Sequence, residues 1–133
     1  MLIDANIFLE VQLNQEKAPA AAGILKAVLQ KDVEGYITDF TIDSIIIILE
    51  HYGKSPSEIK RFLLSLLAYK GLEIYQLSIF DKIEATDHMV SLGLDFDDAC
   101  LYQAMKVLNL SRIASFDSDF DKIPDILRLT SIQ

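Results

Sequence analysis

TIDSIIIILEHY, residues 41–52, contains five consecutive aliphatic side chains, Ile45 to Leu49. Such a run suits a strand buried on both faces of a parallel sheet. Ile42, Ile45, Ile46 and Leu49 also share one stripe of a helix, with Thr41 as a cap and Asp43 in a favourable first turn. The upstream neighbour decides between the two. GYITDF, residues 35–40, is dense in aromatic and β-branched residues and predicts a strand. A second strand directly after it would leave no chain for the crossover that parallel pairing requires. Residues 41–52 are therefore predicted to be helical, which puts Glu50 at the flank of the buried stripe, one turn beyond Ile46.

The flanking segments continue the alternation. MLI reads as a short strand running into Asp4, and APAAAGILKAVLQK, 18–31, as a helix with Pro19 in its first turn. SPSE, 55–58, is a capping box in which Ser55 caps, Pro56 takes the first helical position and Glu58 closes the box. Ile59, Phe62, Leu63, Leu66 and Leu67 then fall on one helix face. LEIYQL, 72–77, predicts a strand and 79–92 a helix closed by Gly93. Leu101, Ala104, Met105 and Leu108 give 98–109 helical spacing; RIASF, 112–116, and ILRLT, 126–130, read as strands. Residues 1–133 are thus expected to form one α/β domain, a three-layer α/β/α arrangement with a mostly parallel sheet of about five strands.

With 133 residues, 51% of them apolar, the chain can bury a substantial core. Twelve basic against twenty acidic residues leave a net charge of −8, which excludes a general DNA coater. An enzyme that meets nucleic acid through bound cations remains open, because such ions reverse the local field. The sole cysteine, Cys100, forms no internal disulfide, as expected of a cytoplasmic protein. Asp4 and Asn6 interrupt the first apolar residues, so no signal peptide is expected, and Ile45–Leu49 is too short to cross a membrane.

Open parallel sheets build sites beyond the carboxyl ends of their strands. Asp4 and Asp117 directly follow predicted strands, Glu50 belongs to the helix after the second strand, and Asp98 begins the helix leading to RIASF. Four acids distant in sequence can therefore meet at one sheet edge. Two unit charges 4 Å apart repel by about 4 kcal/mol at an effective dielectric near 20. Either some of the acids stay protonated or a divalent cation sits among them. Oxygen ligands without His or Cys suit Mg²⁺ or Mn²⁺. The competing reading is that each acid is a cap or a solvated surface group: Asp97 a helix cap, Asp95 a loop residue, and Asp39, Asp43 and Glu10 surface or helix-terminal. Spacing alone leaves the two readings equally open.

Four stretches in order break that balance. IDANIFLE, 3–10, carries Asp4 and Asn6; IILEHYG, 47–53, carries Glu50; DDACLYQAM, 97–105, selects Asp98; SFDSDF, 115–120, carries Asp117 with Asp119 as a helper. Together they resemble the motifs of PIN-domain nucleases, and within that group the VapC-type toxins. The resemblance implies a metal-dependent endoribonuclease, with Mg²⁺ or Mn²⁺ held by Asp4, Glu50, Asp98 and Asp117 and an RNA substrate. It also implies a homodimer held inactive by a small cognate antitoxin. Asn6 would orient Asp4 or contact substrate. Ser115 stands where the family usually has Thr and keeps the hydroxyl; Phe116 is bulkier than usual and would narrow the pocket.

Other readings compete with this one. A non-catalytic binding module could use the acids to accept a basic protein partner. An aspartyl-phosphate transfer domain is disfavoured, because Asn6 stands where a second acid would follow the nucleophile. No Gly-x-Ser-x-Gly elbow accompanies His51 or His88, which argues against a serine hydrolase. His51 reads as a surface or packing residue, Cys100 as an inert core thiol, and Lys54, Lys60 and Arg61 as a solvated helix face.

Overall fold

Residues 1–132 are described by a computed structural model; Gln133, inside the predicted domain span, lies outside the described residues. The chain runs β1 (Leu2–Ile3), α1 (Ala5–Gln12), α2 (Ala18–Leu29), β2 (Gly35–Thr38), α3 (Asp39–His51), α4 (Pro56–Leu66) and β3 (Leu72–Tyr75). It continues through α5 (Ile79–Leu92), α6 (Phe96–Val107), β4 (Arg112–Ala114), a 3₁₀ turn (Ser118–Lys122) and β5 (Leu127–Leu129). The ambiguous run is helical, and α3 starts earlier than predicted. Thr38, not Thr41, is its cap: the Thr41 N–H donates to Thr38 Oγ1 at 3.0 Å. Asp39 and Phe40, read as the end of a strand, form the first turn.

The five strands are all parallel, in the order β3-β2-β1-β4-β5. From β1 the chain winds outward through β2 and β3, then returns to the other side of β1 for β4 and β5. The switch point therefore lies between β1 and β4, where an open sheet leaves a crevice.

Strand side chains alternate between two cores. Ile3, Ile37 and Ala114 pack with α1–α4, and Leu2 and Ile113 pack with α5 and α6 on the opposite face. This gives the three layers. Ile3, Ile37, Leu2 and Ile113 are fully buried, each contributing on the order of 1.5–3 kcal/mol of transfer free energy.

Local signals set the element ends. The Ser55–Glu58 capping box is formed, and Gly93 closes α5 in the left-handed conformation at φ 65°. Gly71 enters β3 where a Cβ would lie 2.8 Å from the carbonyl oxygens of Val28 and Val33. The buried stripe of α4 is narrower than predicted. Phe62 and Leu66 reach the core, with Phe62 edge-on to Phe8, whereas Leu67 is 78% exposed. Neither α1 nor the 3₁₀ turn is anticipated by apolar spacing.

Candidate active site

The ends of β1 and β4 deliver the first residues of the site side by side. The Asp4 N–H donates to the Ala114 carbonyl at 3.0 Å, extending the ladder by one residue. Asp4 then caps α1, its Oδ1 accepting the Ala5 N–H at 2.7 Å. Its Oδ2 accepts the Ser115 hydroxyl at 2.7 Å and the Asn6 Nδ2 at 3.2 Å. Asn6 reaches across the switch point: its Nδ2 also donates to Ser115 Oγ at 3.3 Å, and its Oδ1 accepts the Phe116 N–H at 3.1 Å. Ser115 Oγ accepts a further bond from the Asp117 N–H at 3.0 Å. Ser115 is fully buried, and its hydroxyl uses one donor and both acceptor positions. Asn6 and Ser115 thus fix the rotamer of Asp4 and tie the two strand ends together.

Asp98 approaches from the first turn of α6 and is 7% exposed. Its N–H donates to Asp95 Oδ1 at 3.1 Å. Asp95 is therefore the cap of α6, and Asp97, the cap predicted from sequence, sits inside the first turn and lines the site instead. Asp117 caps the 3₁₀ turn through the Asp119 N–H at 2.9 Å. One carboxylate oxygen each of Asp98, Asp117 and Asp119 lies within 4.8 Å of the others. Asp4, Asp98 and Asp117 line one cleft of about 260 Å³, which Asn6 and Asp97 also line.

The electrostatics follow from this crowding. Burial, then repulsion from Asp95, Asp117, Asp4 and Asp119, pushes the Asp98 carboxyl up to about 7. Burial also raises Asp4, opposed by its hydrogen bonds from Ser115 and Ala5. No basic side chain lines the cleft. The donors are all oxygen, and the nearest guanidinium, Arg128, is outside the lining and already paired with Asp121. This set fits a hard divalent cation such as Mg²⁺ or Mn²⁺.

Glu50 does not join the other acids. It is exposed and absent from the cleft, whose α3 wall is made by Phe40, Thr41, Ser44 and Ile48. At 3.6 residues per turn, Glu50 lies about 200° round the helix from Ile48. Phe116 does not narrow the cleft either. It packs against the core beneath α1–α4, with the Lys17 ammonium 5.1 Å above its ring. Thr41 and Ser44 are the site residues that sequence reading missed. Residues 41, 44 and 48 share a helix face, but periodicity does not say that this face, rather than the opposite flank, meets the site. Cys100 is buried, and burial raises its thiol to about 11, as befits an inert core position. Lys54 and Arg61 line a different cavity, of about 320 Å³, between α3 and α4.

The PIN domain family matches residues 1–126, and the chain belongs to that family. Comparison with curated proteins finds no match. Among solved structures, the chain is similar to VapC20 of Mycobacterium tuberculosis, described as a sarcin-ricin loop cleaving toxin. That likeness has a TM-score of 0.75 at 12% identity, covering 92% of this chain and 94% of the other. A toxin–antitoxin complex from Klebsiella pneumoniae gives 0.72 at 17% identity, covering 95% and 94%. VapBC2 from Rickettsia felis, bound to a DNA fragment from its promoter, gives 0.70 at 15% identity, covering 96% of each chain. At these identities the likeness is one of fold. Among the described residues no helix is long and apolar enough to cross a membrane.

Proposed function

We propose that this chain is a VapC-type endoribonuclease, the toxin of a toxin–antitoxin pair, which hydrolyses RNA phosphodiester bonds with Mg²⁺ or Mn²⁺. The observation that carries the proposal is the convergence of Asp4, Asp98 and Asp117 at the switch point of a PIN-family sheet, with Asp98 pushed up to about 7 by burial and then by its acidic neighbours. Asp4, Asp98 and Asp117 would hold the cation, with Asp119 assisting. Glu50 is left out, because its side chain points away from the cleft. A divalent cation there supplies Lewis-acid activation of water and of a phosphoryl oxygen. Asn6 and Ser115 keep Asp4 in one rotamer, so that the site is formed before substrate arrives. In-line attack of water on the scissile phosphorus would break one P–O bond to ribose, the water giving up a proton and the departing ribose oxygen taking one up.

Partners follow the same reading. The resemblance to toxin–antitoxin complexes supports a small antitoxin; a homodimer is what membership of the VapC-type branch would imply. Exposed apolar side chains on α5 (Ile79, Phe80 and Ile83) and at the end of α4 (Leu64 and the capping Leu67) offer surfaces suited to such contacts.

The test is cleavage of a structured RNA by purified protein with Mn²⁺. Wild type cuts, and Asp98→Asn loses activity by at least about 100-fold while still unfolding in a single cooperative transition. Cleavage at the wild-type rate by Asp98→Asn would remove this carboxylate from the reaction and overturn the reading. Absence of any Mn²⁺ effect on wild type would favour the binding-module alternative.

A further inference from the structure

The α3 wall of the cleft contains no carboxylate. Of its four lining side chains, Phe40 and Ile48 have no donor atom for a cation or a water. Thr41 is 3% exposed, and its Oγ1 is occupied by the Thr38 hydroxyl at 2.9 Å. Ser44 is only half-buried, and its hydroxyl makes no hydrogen bond to any side chain or backbone group among the described residues. An unengaged hydroxyl therefore stands across the cleft from Asp4, Asp98 and Asp117.

We propose that Ser44 is the α3 contribution to the cation site: a neutral oxygen that positions the ion's water shell, in the place where the sequence offers Glu50. This rests on the metal-dependent reading above. The physical reason is charge. Three carboxylates already exceed the charge of one divalent ion, and a fourth at about 4 Å from another would add repulsion of several kcal/mol at an effective dielectric near 20. A hydroxyl adds an oxygen without adding charge. Small hard cations keep several waters when bound, and an outer group that holds those waters raises affinity without touching the ion.

The experiment is calorimetric titration of the full chain with Mn²⁺ alone, alongside the thermal midpoint of each metal-free variant. Wild type binds, and Asp98→Asn loses binding. Ser44→Ala weakens binding about tenfold, within the range usual for outer-shell groups, with an unchanged metal-free midpoint; Ser44→Thr, which keeps the hydroxyl, restores it. Glu50→Gln binds as wild type does. If Asp98→Asn loses binding but Ser44→Ala binds like wild type, or Glu50→Gln loses binding, the role of Ser44 is overturned while the metal site stands. If wild type itself takes up no Mn²⁺, the metal-dependent reading fails first.

Discussion

Asp98 is a residue whose local sequence and tertiary surroundings act in opposite directions. In the first turn of α6 it sits at the positive end of a helix dipole, which favours a charged carboxylate. Burial and four neighbouring carboxylates outweigh that preference and raise it to about 7. In the unfolded chain an Asp titrates near 3.9. Between about pH 4 and pH 7 the folded protein therefore retains a proton that the unfolded chain has released, and stability falls as pH rises through that window. The contribution is fully present below about pH 4 and lost above pH 7; Asp4, also raised, has the same sign. Asp98→Asn removes the proton linkage. Thermal midpoints measured in chelating buffer are expected to show the variant gaining on wild type from pH 4 to pH 7. A pH-independent difference would mean that Asp98 titrates normally in the folded protein.

Elements were legible wherever their signals are local. The SPSE capping box and the Gly93 cap depend on contacts spanning a few residues, and both form as read. The short α1 was not legible, because its cap is Asp4 itself, the residue that also serves the site. A helix of eight residues is marginal alone and exists here through Ile7, Phe8 and Leu9 in the core. One helix end carries strain. Lys31, just past the end of α2, has φ 62° and donates its N–H to the Val28 carbonyl at 3.1 Å. Glycine adopts that conformation without a Cβ clash, so Lys31→Gly is expected to stabilise the protein by about 1 kcal/mol, read from the urea midpoint. A loss of stability would show that the Lys31 side chain makes a compensating contact.

At the scale of the molecule, parallel connections bring Asp4 and Asp117 together across 113 positions of sequence, since β1 and β4 pair although β2 and β3 intervene. A net charge of −8 with no basic side chain lining the cleft leaves the site to be neutralised from solution. Mn²⁺ at about a hundred times its dissociation constant should add about 2.7 kcal/mol of stability, seen as a raised thermal midpoint that Asp98→Asn lacks and Glu50→Gln retains. An equal rise in Asp98→Asn would assign the ion to a different place on the surface.

Read alone, the sequence determined the alternation of strands and helices, the parallel α/β class, and the placement of Asp4, Asp98 and Asp117 at element ends near one edge. Each of those rests on short-range pattern. The fate of Glu50 and Ser44 was decided only by the tertiary structure. Burial of Ile45 and Leu49 fixes the rotation of α3 about its axis, leaving Ser44 and Ile48 on one flank and Ile46 and Glu50 on the other, about 200° apart. Both flanks are equally compatible with the apolar stripe. Which one meets the carboxyl edge of β1 and β4 depends on how the helix packs over the sheet, and helical periodicity carries no record of that direction.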